Sequence, residues 1–260
     1  MQRKPVIIIA ILSVISLGLG YWVGLPKGVS GGDGNQTSDS KEPDSLKKGL
    51  VAYYPFNGDA KDKSGNGNHG EVTGAKFIDD IDRPGEKRSA CYFDGRFDFI
   101  EIQHSDSLSF SSPNYTIAIW VKCPSQGIYA ALFIKAQEVE PFTGPTVFVS
   151  YSTIGTVAFR EVSSAELHSK QTILDQNRWS HLAFVKVGEK MSIFIDGLLD
   201  SSIERDNGNA RINNQPIVLG ANNRSRADQN YKGWMDDLRI YNRALSAEEV
   251  KILYEFEKMK

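Results

Sequence analysis

The stretch Gly233-Trp-Met-Asp-Asp-Leu-Arg-Ile-Tyr-Asn-Arg-Ala-Leu-Ser-Ala-Glu-Glu-Val250 decides the fold. Its first half has the composition of a β-strand, and strict alternation places Trp234, Asp236, Leu238 and Ile240 on one face. A carboxylate in such a row needs a hydrogen bond, a cation or a metal ion, because burying an unpaired charge is costly.

The second half of the stretch predicts a short closing helix. Ser246 and Glu249 have the spacing of a capping box, in which each side chain satisfies the other residue's backbone N–H. Val250, Leu253 and Tyr254 then fall on one side of the helix, which we expect to pack against the rest of the domain.

Upstream of this stretch, the chain has the pattern of an all-β sandwich. From Leu50 onward, apolar runs of strand length alternate with clusters of Gly, Asn, Asp and Pro. Asp196-Gly197 between two such runs predicts a hairpin turn. The predicted strands are Leu50–Tyr54, Ala90–Phe93, Phe97–Ile102, Tyr115–Cys123, Ala130–Lys135, Thr146–Tyr151, Thr156–Arg160, His181–Val187, Met191–Ile195, Pro216–Leu219 and Lys232–Tyr241.

Six further motifs, in a fixed order, give the chain a family resemblance. It resembles the laminin-G-like jellyroll domains of the concanavalin A-like superfamily from about Lys48 to its end. Such folds host lectins, glycan-binding modules, adhesion domains and glycosidases, so the resemblance specifies a fold better than a ligand. The motifs are Leu50-Val-Ala-Tyr-Tyr-Pro-Phe-Asn-Gly-Asp59, Asp62-Lys-Ser-Gly-Asn-Gly-Asn-His-Gly70, Phe93-Asp-Gly95, Ile117-Ala-Ile-Trp-Val121, Trp179-Ser-His-Leu-Ala183 and Ile193-Phe-Ile-Asp-Gly197.

The resemblance implies a structural calcium ion where an early loop meets the last strand. By that resemblance the first ligands are Asn57, the Gly95 carbonyl and Asp236, with Asp59 and Asp62 as further candidates. Oxygen-rich side chains and carbonyls in a glycine-containing loop are what calcium takes as ligands. The alternative for Asp62 is that it hydrogen-bonds its own turn, as such residues commonly do.

The N-terminus predicts a membrane anchor. Two basic residues precede the uncharged apolar run Val6–Leu25, which is about the length that a helix needs to cross a bilayer. We expect an uncleaved signal anchor with residues 1–5 in the cytoplasm and the rest of the chain outside it. The alternative is a signal peptide, but the run continues through Tyr21 and Trp22 and no Ala-x-Ala site follows.

Composition divides the rest of the chain into a linker and one domain. Residues 26–47 are rich in Gly, Ser, Asp, Asn and Lys and predict a disordered tether. Residues 48–260 form one domain by length. The whole chain has 30 basic and 32 acidic residues, which removes the attraction that nucleic-acid binding requires.

Two cysteines, Cys91 and Cys123, lie on predicted strands at positions that face inward. In an extracytoplasmic compartment a disulfide between them could persist. The alternative is two buried thiols that act as small apolar residues.

Other conspicuous residues are expected to be structural. Trp120, Trp179 and Trp234 have the neighbours of packed aromatic residues. The four histidines lack the paired spacing of metal ligands. His181 stands at a strand start, where bonding to the backbone is its ordinary role.

The sequence gives little sign of an enzyme. Retaining glycosidases need two carboxylates about 5 Å apart, often supplied by alternating acidic residues on one strand. Asp236 and Asp237 are adjacent, so regular alternation would point them to opposite faces. Glu138 and Glu140 alternate, but Pro141 follows and the segment reads as a loop.

We therefore expect an all-β, two-sheet antiparallel jellyroll sandwich of the concanavalin A-like type, with an N-terminal transmembrane helix and a short C-terminal helix. The expected function is membrane-tethered, extracytoplasmic binding of a glycan or a surface protein. A structural or assembly domain that contacts another envelope protein is the alternative, and a glycoside hydrolase is the third.

Overall fold

A computed structural model describes residues 41–80, 88–124, 129–136, 143–150, 153–162, 165–173, 178–204, 213–222 and 229–259. All of them belong to the compact unit Ser40–Lys260. The predicted membrane span 6–25 lies outside these ranges. Within them, no helix is both long enough and apolar enough to cross a bilayer.

The described strands form two antiparallel sheets packed face to face, as the sequence predicts. The first sheet has the order β13-β12-β11-β6-β15-β4-β3, and β1 also pairs with β15. Its strands are β1 (Leu50–Tyr54), β3 (Lys76–Asp80), β4 (Arg88–Asp94), β6 (Asn114–Lys122), β11 (Trp179–Val187), β12 (Lys190–Ile195), β13 (Leu198–Glu204) and β15 (Lys232–Tyr241).

The second sheet faces the first across the main core. Its order is β10-β9-β8-β7-β14-β5-β2. The inward side chains of both sheets, among them Phe93, Phe133, Phe159 and Phe184, form one buried cluster. The strands are β2 (Gly70–Thr73), β5 (Phe99–Ile102), β7 (Ala130–Ile134), β8 (Thr143–Val149), β9 (Val157–Val162), β10 (Ala165–His168) and β14 (Ile217–Leu219).

Two short-range signals are confirmed by the structure. Helix α2 (Ala247–Lys258) begins after Ser246, and the reciprocal capping box with Glu249 is present. Strands β12 and β13 are joined at Asp196-Gly197, where both residues have positive φ, 51° and 77°. This is the geometry of a type I′ turn, whose twist matches that of the paired strands.

The alternation expected along β15 is wrong in one respect. A β-bulge lies between Asp236 and Arg239, and Asp237 has a φ of 43°. Leu238 lies in the main core, whereas Trp234 packs against a separate cluster on the outer face. The extra residue in the bulge shifts the pleat, so Trp234 and Leu238 face opposite sides of the sheet.

Helix α2 covers the outer face of the first sheet, and the segment before β1 packs beside it. Residues Asp44–Lys47 form a short helix, α1, whose Leu46 is fully buried in the cluster that includes α2. The packed part of the chain therefore begins before Lys48, within residues that the composition assigns to the linker. Leu46, the Glu42–Arg239 ion pair and the hydrogen bonds from Arg243 to the Ser45 and Lys48 carbonyls make this attachment, which composition does not display.

Both cysteines are buried, and both are free thiols in the structure. The Cys123 sulfur lies 3.1 Å from the Tyr231 hydroxyl. Burial raises the pKa of the Cys123 thiol to about 12 and also raises that of Cys91. Of the two alternatives left open by the sequence, the structure has the buried thiols.

Candidate functional site

A cleft among the described residues lies beside the loop that follows β5. This loop contains the run Ser105-Asp-Ser-Leu-Ser-Phe-Ser-Ser-Pro-Asn114, in which five of ten residues are serine. The cleft has a volume of about 180 Å³. We call it the serine cleft; its lining is Val51, Asp106, Ser107, Ser109, Phe110, Ser111, Ser112, Asn114, Tyr115, Ile240, Tyr241 and Asn242.

Aromatic packing fixes the floor of the serine cleft. Phe110 has a φ of 52°, and its ring stands edge-on to those of Tyr115 and Phe133, with centroids 5.0 and 6.1 Å away. Leu108, in the one-turn 3₁₀ helix Asp106–Leu108, is buried and holds the loop down. The neighbouring serines remain at the surface, so the cleft combines a fixed ring with exposed hydroxyl groups.

A buried ion pair supports the floor from beneath. The Tyr115 hydroxyl donates to Glu161 at 3.1 Å, and the Lys186 ammonium lies 2.5 Å from the same carboxylate. Tyr115 and Lys186 belong to the first sheet and Glu161 to the second, so the three groups join the two sheets. Burial, followed by the charge of Glu161, raises the pKa of Tyr115 well above its ordinary value.

The rim of the cleft is fastened by the first loop of the domain. Asp62 is buried, and its carboxylate accepts hydrogen bonds from the backbone N–H groups of Tyr53, Ser64 and Asn68 at 2.8–3.0 Å. The Asn68 side chain accepts from the Ser105 hydroxyl at 2.7 Å and donates to Ser107 at 3.0 Å. The sequence left two roles open for Asp62, as a calcium ligand or as an acceptor of hydrogen bonds within its own turn. These contacts show the second role.

The other predicted calcium ligands lie in three segments: Asn57 and Asp59 in the loop after β1, Gly95 after β4, and Asp236 in β15. Asn57 is exposed, and Asp59 accepts from the Lys61 N–H at 3.0 Å. Asp94 pairs with Lys232, which is about 13 Å along β15 from Asp236, and Gly95 is one residue beyond Asp94. The structure therefore does not bring the Gly95 carbonyl and Asp236 to one ion.

Asp236 has the hydrogen bond that its burial requires. Its carboxylate accepts from the Asp237 backbone N–H at 2.9 Å. Asp237 in turn accepts from the Tyr53 hydroxyl at 2.6 Å. Within the described ranges, no group of three or more His, Cys, Asp and Glu side chains is arranged to hold a metal ion.

A cluster of charged side chains lies beneath α2, on the outer face of the first sheet. Arg239 is fully buried and binds Glu257 of α2 at 2.7 Å through Nε and Glu42 through Nη1. Its guanidinium lies 4.0 Å from the centre of the Tyr53 ring. We call Glu42, Tyr53, Asp237, Arg239 and Glu257 the charged layer.

The charged layer is built for stability rather than for chemistry on a ligand. Glu257 is fully buried and accepts from the Trp120 indole N–H at 2.9 Å. The His181 ring is also fully buried and lies 3.7 Å from the same carboxylate. It therefore faces a charged side chain, whereas the sequence predicts only a bond to the backbone. The Asp237 and Glu257 carboxylates are enclosed by protein and bonded, which leaves them no access to a substrate, and the partly exposed Glu42 is paired with Arg239. Glu138 and Glu140 lie outside the described residues.

The comparisons place this domain in a family. Residues 94–251 match the laminin-G-type family of the concanavalin A-like lectin/glucanase superfamily, and the chain belongs to it. A search of curated proteins found no match.

Solved structures with the same fold include two toxin binding domains and one domain of an arabinanase. The binding domain of Paraclostridial Mosquitocidal Protein 1 has a TM-score of 0.65 at 21% identity over 82% of this chain and 53% of that one. Domain 4 of AbnA, a GH43 extracellular arabinanase from Geobacillus stearothermophilus, solved with arabinotriose, has a TM-score of 0.63 at 24% identity over 79% and 98%. The binding domain of botulinum neurotoxin serotype D has a TM-score of 0.63 at 17% identity over 82% and 53%.

These likenesses show the fold. The chain spans about half the length of the two toxin binding domains and nearly all of the arabinanase domain. The predicted class, a jellyroll of the concanavalin A-like type, is confirmed at the level of fold and family. The serine cleft was missed by sequence reasoning, although the serine-rich run was a visible signal.

Proposed function

We propose that this chain is a membrane-tethered, extracytoplasmic module that binds a neutral saccharide in the serine cleft. The observation that carries the proposal is the combination of a fixed aromatic ring, Phe110, with exposed serine hydroxyls in a cleft of about 180 Å³. Sugars present apolar C–H faces and hydroxyl groups, which such a surface can contact together.

The charge of the cleft favours a neutral ligand. Its lining contains the Asp106 carboxylate and neither Lys nor Arg. An acidic sugar or a phosphate would face this carboxylate without a balancing cation, which disfavours binding. The solved arabinanase domain in complex with arabinotriose supports the proposal as a fold-level analogy.

The test is a glycan array on the full chain, followed by titration of the best ligand. Ser111→Trp should fill the cleft and weaken binding at least ten-fold, because Ser111 is exposed at its wall. Ser202→Trp places the same ring on exposed β13 and serves as the matched control. Equal binding by both variants would place the ligand elsewhere.

A second candidate function is assembly with another envelope protein. Leu198 and Leu199 are 66% and 55% exposed beside the β12–β13 turn. Gly197 in that turn lies against Tyr254 of α2, so these leucines stand next to the helix. Exposed apolar side chains of this kind can mark a protein contact. A glycan array without binding, together with cross-links from the chain to one envelope protein, would favour this function. The double variant Leu198→Lys/Leu199→Lys should abolish these cross-links.

The tether is proposed from Val6–Leu25 alone. If this segment is an uncleaved anchor, mature protein keeps its N-terminus and leaves the membrane only with detergent. Recovery of a soluble form that begins near Lys27 would show a cleaved signal peptide instead.

Calcium also remains a proposal, with a narrower set of ligands. Asn57 and Asp59 offer oxygens at or near the surface, whereas the Asp62 carboxylate already accepts three backbone N–H groups. A calcium ion that binds only the folded state stabilises that state by about 2.7 kcal/mol when the free ion concentration is a hundred times Kd. Excess chelator should then lower Tm; an unchanged Tm in metal-free protein would remove the ion.

A further inference from the structure

Asn114 lies in the wall of the serine cleft, and its side chain is held in one orientation. It is exposed at the start of β6 and belongs to the cleft lining. Its Oδ1 accepts a hydrogen bond from the Gly188 backbone N–H at 3.0 Å. Because a backbone N–H can only donate, the atom that faces Gly188 is the carbonyl oxygen of the amide, and the amide nitrogen lies on the other side.

The Asn114 amide nitrogen therefore has two N–H donors to offer a ligand. In the part of the chain that the structure describes, no protein group accepts a hydrogen bond from them, whereas the Asn114 backbone N–H is bonded to the Ser112 hydroxyl at 3.1 Å. A flip of the amide would set its NH2 against the Gly188 N–H and lose that hydrogen bond. The two donors are thus a fixed feature of the cleft.

Asp106 supplies the opposite chemistry at the other end of the serine-rich segment. It is exposed at the first position of the 3₁₀ helix and belongs to the same lining. None of the described groups donates a hydrogen bond to its carboxylate. An ionised carboxylate only accepts, and hydrogen bonds to it are stronger than those between neutral groups. One cleft therefore combines a fixed donor, Asn114, with a charged acceptor, Asp106.

We propose that the serine cleft selects a sugar unit that carries an acetamido group. This group has one N–H donor, one carbonyl acceptor and an apolar methyl group. The N–H can donate to the Asp106 carboxylate, the carbonyl can accept from the Asn114 amide, and the methyl group can pack on the Phe110 ring. The inference rests on the proposed saccharide binding and names the ligand class of that same cleft.

Other neutral or amino sugars match the two polar groups less well. A sugar hydroxyl can donate or accept, but its O–H rotates, whereas the planar acetamido group fixes its donor and its acceptor on opposite sides. A deacetylated amino sugar has an ammonium group, which can pair with Asp106 but leaves Asn114 without an acceptor. The cleft volume of about 180 Å³ suits a single sugar unit, so one substituent can decide which sugar binds.

The test compares three trisaccharides with the same β-1,4-linked backbone on the full chain. They are triacetylchitotriose, its fully deacetylated form and cellotriose. The acetylated sugar should bind at least ten-fold more tightly than cellotriose, and the deacetylated sugar should bind weakly with an affinity that falls with salt. Equal binding of cellotriose, or no binding of the acetylated sugar at about 1 mM, would overturn the proposal.

Asn114→Asp isolates the two amide donors. The variant keeps an oxygen for the Gly188 N–H, so Tm should stay unchanged, but it loses both N–H groups. Affinity for triacetylchitotriose should fall at least ten-fold, and the preference over cellotriose should disappear. Ser202→Asp adds the same charge on exposed β13 and is the matched control. Equal losses in both variants would show a general effect of charge and overturn the role of Asn114.

Asp106→Asn tests the acceptor. The variant removes the charge but keeps one acceptor oxygen, so affinity for triacetylchitotriose should fall about three- to ten-fold. The deacetylated sugar should lose its salt-sensitive binding, because its ammonium group loses the carboxylate. Unchanged binding of both sugars would exclude Asp106 from the site and overturn the acetamido assignment.

Ser111→Trp separates this inference from the proposed function. If the array identifies another neutral glycan whose binding Ser111→Trp blocks, the cleft remains the binding site and the acetamido assignment is overturned. If triacetylchitotriose binds and Ser111→Trp leaves its affinity unchanged, the ligand lies elsewhere and both proposals fail. Loss of triacetylchitotriose binding in both Ser111→Trp and Asn114→Asp, with Ser202→Trp and Ser202→Asp unaffected, would support both.

Discussion

The charged layer and the serine cleft use opposite chemistry in one domain. The charged layer buries Arg239 between Glu257 and Glu42 beneath α2. The serine cleft keeps hydroxyl groups at the surface over a fixed Phe110 ring. The difference teaches that charge concentrated in a protein does not by itself mark its ligand site, because buried and mutually paired charges are inaccessible to a ligand.

The largest effect is expected from Arg239→Ala. Removing the guanidinium leaves Glu257 buried without its cation, so the free energy of unfolding should fall by about 3–5 kcal/mol. Chemical denaturation of the full chain measures this, with Lys190→Gln, at an exposed lysine at the start of β12, as the control. A loss below about 1 kcal/mol would mean that the charged layer is not structural.

A buried lysine with different neighbours sharpens the comparison. Lys135 donates to the Gln215 carbonyl at 2.6 Å and lies 3.3 Å from the His104 ring, whereas Arg239 contacts carboxylates. Burial lowers the pKa of Lys135 from 10.5 to about 8. The folded state therefore holds fewer protons than the unfolded state between these two values.

Stability should accordingly rise as the pH increases from about 8 to 10.5, and Lys135→Met should lack this rise. The difference in the free energy of unfolding between the unmodified chain and Lys135→Met should change by up to about 3 kcal/mol between pH 8 and pH 10.5. Denaturation at pH 7.5 and pH 10 measures it. The same pH dependence in Lys135→Met would assign the effect to another group.

Asp62→Ala tests whether structural support affects ligand binding, because Asp62 holds the rim of the serine cleft but is not part of its lining. The lost hydrogen bonds to three backbone N–H groups should lower stability by about 2 kcal/mol. Saccharide affinity should fall as well, since Asn68 loses its support. Unchanged affinity in a measurably destabilised variant would show that the rim does not depend on this loop.

The capping box offers a smaller, purely local effect. Ser246→Ala removes the hydroxyl that accepts from the Glu249 N–H at 3.1 Å, which should cost about 1 kcal/mol. Ser246→Asp should restore most of the loss, because aspartate also caps helices. Thermal denaturation of the two variants checks this, and equal losses in both would contradict the capping role.

The smallest effect on stability is expected in the serine cleft itself. Ser111→Ala should change the free energy of unfolding by no more than about 0.5 kcal/mol, because the residue is exposed. The same variant should weaken binding of the saccharide that the array identifies. A stability loss like that of Arg239→Ala would remove the distinction between the two regions.

Local chemistry explains which features were predictable. The strands Leu50–Tyr54 and Lys232–Tyr241 have the predicted bounds, and the Ser246 capping box and Asp196-Gly197 turn are present. Each depends on neighbours within a few residues, which a sequence displays directly. The strands β2, β3, β10 and β13 were not among those predicted, since apolar runs are short or absent there.

The sequence by itself determined the all-β class and the closing helix, because alternation, caps and turns act locally, and its motifs resembled the family that the comparison found. Only the tertiary structure decided that a bulge separates Trp234 from Leu238, that Arg239 meets Glu42 and Glu257, and that Phe110 faces a cleft. These contacts join residues far apart in the chain. They depend on strand register and sheet packing, which no local window of sequence contains.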